Sequence, residues 1–157
     1  MNSVKLFLVF SLLGISSLLF AQNYSADSHW ESRHLGLTHS YQAVCRAYIQ
    51  GAAPILNAIG ARNKEFSCGG SYGGQGLSFE SLQEGPDANG NIVRGEWIQV
   101  QIQTWIDGRY CYYTTQAVDE VLFNIAARNV QYNIQCDGQN QGTLFLVFEA
   151  LAPEYHH

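Results

Sequence analysis

The chain has 157 residues, with 13 Asp and Glu against 8 Lys and Arg, for a formal net charge of −5. Lys64 is the only lysine after Lys5 and the arginines are scattered, so no basic stripe is available to neutralise phosphates, and nucleic acid is not the expected partner. The length suits one domain with its own hydrophobic core, and nothing in the composition changes along it as a linker or repeat boundary would.

The first element is the opening "MNSVKLFLVFSLLGISSLLFAQ". Lys5 precedes an apolar run from Leu6 to Phe20, and Ala21 precedes a polar stretch, the layout of a secretory signal peptide. The run falls short of the roughly 20 residues that a membrane-spanning helix needs. Cleavage is expected near Ala21, leaving a single domain, 22–157, that is secreted or periplasmic and makes no stable membrane insertion. A buried N-terminal helix or a membrane anchor is the other reading of this segment. His29, His34 and His39 follow at intervals that scatter side chains around a helix. With His156 and His157 they are the metal-ligating candidates. A frayed N-terminal segment accounts for the first three more simply, and no metal or cofactor is expected.

Tyr41, Val44, Cys45, Tyr48 and Ile49 recur at helical spacing, so a helix is expected from about His39 to Gln50, capped by Thr38 or Ser40. Gly51 and Pro54 interrupt it, and "ILNAIGA" adds at most another turn. "EFSCGGSY" and "LSFESL" read as two short strands, or one bent at the glycines, and "QEGPDANGNIVRG" carries turn residues throughout. "EWIQVQIQTWI" then alternates. Ile98, Val100, Ile102 and Ile106 fall on one face, and Trp97, Gln99, Gln101, Gln103 and Trp105 on the other. Asp107-Gly108 is a favoured pair for a two-residue hairpin turn. "RYCYYTT" is therefore expected to return as a strand, with Ile106 opposite Arg109, Trp105 opposite Tyr110 and Gln103 opposite Tyr112. Val118, Val121, Leu122, Ile125 and Val130 mark a second helix, capped by Thr114 or Thr115. "VQYNIQC" alternates, Asp137 to Gly142 turns, and "TLFLVFEAL", apolar on both faces, reads as a strand buried on both sides.

Cys45, Cys68, Cys111 and Cys136 are an even set behind a signal peptide, which reads as two disulfides. Their spacing lacks the paired C-x-x-C of a zinc site. Three pairings are possible, and the sequential one, Cys45–Cys68 with Cys111–Cys136, is preferred because each pair brackets a local unit. The expected fold is α+β: a small disulfide-stapled antiparallel sheet, or a partly open OB-like barrel, with one or two helices. The element order from about Glu65 to Leu151 resembles that of the small secreted OB-fold B subunits of AB5-type toxins. That resemblance implies a barrel with a helix between its third and fourth strands, and glycan binding.

Gly69-Gly70-Ser71-Tyr72-Gly73 fits the nucleophile-elbow pattern G-x-S-x-G. The elbow needs a helix to follow, whereas Gly74-Gln75-Gly76 starts helices poorly, and the only later histidines are His156 and His157. The stretch therefore reads as a glycine-rich bend beside a cysteine. Asp87, Asn89 and Asn91 begin like a calcium loop, but Ile92 stands where the glycine belongs and Ile98 where the glutamate belongs, so Asn89-Gly90 reads as a turn. Glu96 and Asp107, at opposite ends of one strand, are too far apart to work as a catalytic pair. An enzyme is the less favoured class.

The candidate site is the outer face of the expected hairpin: Trp97, Gln99, Gln101, Gln103, Trp105, Tyr110, Tyr112 and Thr114. Glutamine amides present donors and acceptors, and indole and phenol rings present stacking surface. The expectation is a binding module that recognises a glycan or a partner protein. A sheet face stabilised by its own aromatic pairs, or buried under a helix, is the structural alternative. A small secreted hydrolase with an unidentified acid/base site is the functional one.

Overall fold

The computed structural model describes residues 24–36, 42–68 and 75–154. The segment expected to be a leader, His39, Ser71 with its glycines, His156 and His157 lie outside them. Strand β1 spans Ser25–Gly36 and helix α1 Gln42–Ala58; β2 is Arg62–Cys68, β3 Gln75–Glu84 and β4 Val93–Ile106. Helix α2 covers Cys111–Asn124, followed by β5, Arg128–Cys136, and β6, Gly142–Pro153. Among the described residues these strands form one antiparallel sheet in the order β2-β3-β1-β4-β6-β5.

The stretch expected to fray is instead an interior strand. β1 pairs with β3 from Ser28 to Gly36 and with β4 from Ser25 to Ser28. Its polar composition hid it, since only Ala26, Trp30 and Leu35 pack against the apolar clusters. His29 is held in place: its ring nitrogens lie 2.9 Å from the Gly85 carbonyl and 2.9 Å from Glu31 Oε1.

Helix α1 does not stop at Gly51 or Pro54. Val44, Cys45, Tyr48, Ala52, Ile55 and Leu56 form one buried stripe across both, and burial of that stripe outweighs the hydrogen bond that proline cannot make. Gly51 is where the helices cross. A Cβ there would sit 2.6 Å from the Thr114 carbonyl oxygen, and Thr114 Oγ1 donates to the Ala47 carbonyl at 3.1 Å.

The expected hairpin at Asp107-Gly108 does not form. β4 ends at Ile106, and "CYYTT" is the first part of α2. A type I′ turn needs positive φ at both central residues, and neither Asp107 nor Gly108 has it. The Asp107 amide donates to Gln50 Oε1 of α1 at 3.0 Å, while the Asp107 carbonyl accepts from the Tyr110 amide at 3.2 Å. Gly108 serves close approach, because a Cβ would meet Asp137 Oδ1 at 2.4 Å and the Gln141 carbonyl at 2.6 Å. Trp105 therefore pairs with Thr143 and Gln103 with Phe145, on β6. α2 also ends earlier than expected, and Val130 belongs to β5. Asn89-Gly90 is a turn, closed by two backbone amides on Asp87 Oδ1.

Both disulfides follow the sequential pairing, with Cα–Cα distances of 5.7 Å for Cys45–Cys68 and 5.9 Å for Cys111–Cys136. The sheet is not closed into a barrel, so the OB-like alternative and the architecture implied by the toxin resemblance do not hold. The fold is a two-layer α+β arrangement with both helices on one face of an open sheet. Tyr48, Ile55, Leu56, Val118, Val121, Leu77, Phe79, Leu144, Leu146 and Phe148 fill the space between the layers. β6 lies inside the sheet as expected, but its second face is only partly buried: Leu151 is covered while Phe145 is exposed.

The single sheet is built from an internal repeat that the uniform composition does not reveal. β1-α1-β2-β3 and β4-α2-β5-β6 repeat the same order, and the strand order is symmetric about the β1–β4 junction. At that junction Asp27 opposes Arg94, with Oδ1 and Nη1 2.6 Å apart. "ILNAIGARN" at 55–63 matches "VLFNIAARN" at 121–129, and "LSFESL" at 77–82 matches "LVFEAL" at 146–151. Both helices end in a Schellman motif: Ala61 N donates to Leu56 O and Ala127 N to Leu122 O, each at 3.0 Å, with Gly60 and Ala126 at positive φ. Each disulfide ties the first turns of a helix to the end of the following strand. Composition is blind to the repeat because the two halves share it.

Candidate functional site

The helices cover one face of the sheet and leave the other open. Strand alternation sends Ile98, Val100, Ile102 and Ile106 toward the helices and Trp97, Gln99, Gln101, Gln103 and Trp105 to the open face, as the period of two predicts. The two tryptophans differ sharply. Trp105 is 66% exposed, whereas Trp97 is 5% exposed and packs with Leu82 and Leu151, flanked by Ala26 and Trp30.

The duplication explains that difference. Near the pseudo-two-fold junction each half stacks an arginine on a tryptophan: Arg62 over Trp30 at 4.0 Å, and Arg128 over Trp97 at 3.4 Å. A glutamate on the last strand of each half completes the set. Arg62 Nε donates to Glu80 Oε1 at 2.7 Å and Asn63 Nδ2 at 2.8 Å; Asn129 Nδ2 donates to Glu149 Oε1 at 2.9 Å, with Arg128 Nη2 3.6 Å away. The Arg62 guanidinium, foremost, holds the Glu80 carboxyl below its ordinary range, and Asn63 adds to this. Asn63 and Asn129 stand at positive φ of 52° and 53°, a conformation asparagine tolerates better than most residues. These clusters tie each outer strand to the sheet centre, and Trp97 is buried in one of them.

Beyond the cluster, toward the far end of β4, the open face changes character. Gln103 and Trp105 of β4, Thr143 and Phe145 of β6, and Asn133 and Gln135 of β5 line a groove of about 490 Å³. None of the groove's lining side chains is ionised. Gln99 and Gln101 continue the amide row on the same strand and are exposed. The charged groups nearest in sequence to Trp105 pair with each other: Arg109 Nη2 donates to Asp107 Oδ2 at 3.0 Å and holds the Asp107 carboxyl below its ordinary range.

Of the candidate residues, the structure therefore brings together Gln99, Gln101, Gln103 and Trp105. Tyr110 and Tyr112 are not among them. Tyr110 precedes α2, and Tyr112 lies exposed on that helix, edge-on to Tyr113 at 5.3 Å. Thr114 is buried between the helices. Asn133, Gln135, Thr143 and Phe145 were missed, although the polar alternation of "VQYNIQC" carried a signal for two of them. Among the described residues no three His, Cys, Asp or Glu side chains gather as a metal site, and no helix is long and apolar enough to cross a membrane. The two disulfides fit an oxidising, non-cytoplasmic compartment. Compared with protein-family models, characterised proteins and solved structures, the chain matches none.

Proposed function

We propose that the protein is a secreted or periplasmic binding module that recognises an uncharged glycan in the β4–β6–β5 groove. The observation that carries this reading is Trp105, a large indole exposed at the wall of a groove whose other polar groups are neutral amides and a hydroxyl. Sugar rings offer apolar C–H faces to an aromatic plane and hydroxyls to amides that both donate and accept. An ionic partner would leave its charge unmatched there, because no groove-lining side chain is ionised.

The test is a glycan array followed by calorimetry on the mature domain. Trp105→Ala is expected to weaken binding at least about tenfold with an unchanged melting temperature, since hot-spot truncations lose about 2 kcal/mol or more. Trp97→Ala is expected to lose about 3–5 kcal/mol of stability instead, as large buried side chains do. Unaltered glycan binding in folded Trp105→Ala would remove the groove from the function. An array on which the wild type binds no neutral glycan would remove the ligand class.

A further inference from the structure

We propose that the flank formed by β5 and α2 is a self-association surface through which two copies of this chain join edge to edge into one continuous sheet. The proposal does not depend on the glycan reading. The duplication supplies its internal comparison. Aligned through Cys45 and Cys111 and through the Ala-Arg-Asn segments, four surface positions change in one direction between the halves. Arg46 of the first half corresponds to Tyr112 of the second, Asn57 to Phe123, Lys64 to Val130 and Glu65 to Gln131. The shared core residues stay alike, while at these four positions the second flank has lost three charges and gained two aromatic rings; in the other direction, Asp119 stands where the first half has Ala53.

Those rings are open to solvent. Phe123 is 85% exposed and Tyr112 75%, and their spacing of three helical turns puts them on one side of α2. Tyr132 of β5 donates its hydroxyl to Asp119 Oδ1 of α2 at 2.6 Å, so the strand and that helix side are contiguous. β5 is the last strand of the sheet, and an edge strand presents unpaired backbone groups to any further strand. Edges are commonly protected by charge. β2, the opposite edge, carries Arg62, Lys64 and Glu65, whereas β5 carries the equivalent Arg128 but no further charge and no proline. An irregularity between Arg128 and Gln131 limits regular pairing to the Gln131–Cys136 segment.

A second copy fits this flank better than an unlike protein because a two-fold contact sets the same patch against itself. In a chain of net charge −5 most surfaces repel their own copies, but on this one Asp119 accepts the Tyr132 hydroxyl, Arg128 at the start of β5 turns to Glu149 and Trp97, and the strand from Asn129 to Cys136 is neutral. Antiparallel pairing of β5 with its copy keeps both α2 helices on one side of the joined sheet, where Phe123 and Tyr112 lose water. It also sets the two open faces side by side.

Sedimentation velocity on the mature protein, from micromolar concentrations upward, reads the proposal directly. The wild type is expected to dimerise. Phe123→Asn combined with Val130→Lys and Gln131→Glu installs the first half's residues at exposed positions, and is expected to weaken the dimer at least about tenfold. Amide exchange gives a second reading in the unmodified chain: amides of Gln131 to Cys136 are expected to slow as concentration rises. A wild type that stays monomeric, a triple variant that folds and dimerises as tightly, or exchange in β5 that ignores concentration would each overturn the proposal.

Discussion

His29 shows how one side chain makes the fold sensitive to pH. Its two ring nitrogens face acceptors, the Gly85 carbonyl and Glu31 Oε1, each at 2.9 Å. Only the imidazolium carries two N–H groups to donate to both. The Gly85 carbonyl first, and Glu31 second, therefore hold its folded pKa above the ordinary value of 6.5. A raised folded pKa contributes stability that is complete below the unfolded value and is lost as pH rises through the folded one. The melting temperature is thus expected to fall from about pH 6 to about pH 8 by more in the wild type than in His29→Gln; parallel curves would show that this histidine does not set the slope. None of this was legible beforehand, because a histidine at position 29 announces neither Gly85 nor the strand that holds it. Trp97 and Trp105 make the same point. Alternation correctly put both on one face, but only the neighbours of each, Leu82 and Leu151 for one and solvent for the other, decide which is core.

At the scale of elements, local chemistry predicted well where it acted alone. The Ile/Gln alternation of β4, the turn at Asn89-Gly90 and the helical stripe of Val118, Val121 and Leu122 are all present. It failed where a distant partner intervened. Asp107-Gly108 has the residues of a hairpin turn, yet Gln50 of α1 takes the Asp107 amide, and the β5–β6 turn presses against Gly108. Pro54 likewise breaks helices in general, but here the buried stripe of α1 carries the helix through. The disulfides hold these elements at equivalent places, each from the first turns of a helix to the end of the next strand. Replacing Cys111 and Cys136 together by Ala is expected to lower stability by about 2–4 kcal/mol without changing the fold. Denaturant titration checks this, and a thiol assay on the native protein is expected to find no free cysteine. A reactive thiol under native conditions would contradict the pairing.

For the whole molecule, the duplication governs what is stable. Each βαββ half places one helix over its own strands, but the core is shared: Tyr48, Ile55 and Leu56 from the first half pack with Val118, Val121, Leu144 and Phe148 from the second. A fragment of residues 22–91 is therefore expected to be largely unfolded by circular dichroism, and to regain structure when mixed with residues 92–157. A cooperative melt from the first fragment alone would show that the halves are independent. The sequence by itself determined the α+β class and the inward face of β4, because these follow from spacing and period along a short stretch of chain, and it favoured the sequential disulfide pairing among three that the structure then decided. It also contained the repeat, in "ILNAIGARN" and "VLFNIAARN", at a separation that a reading in local windows does not compare. Only the tertiary structure decided that the sheet stays open, that β1 is an interior strand, and that Trp105 alone of the two β4 tryptophans faces water. Those outcomes depend on which strands meet across the pseudo-two-fold junction and on what covers each face, and burial is a property of neighbours that lie far apart in the chain.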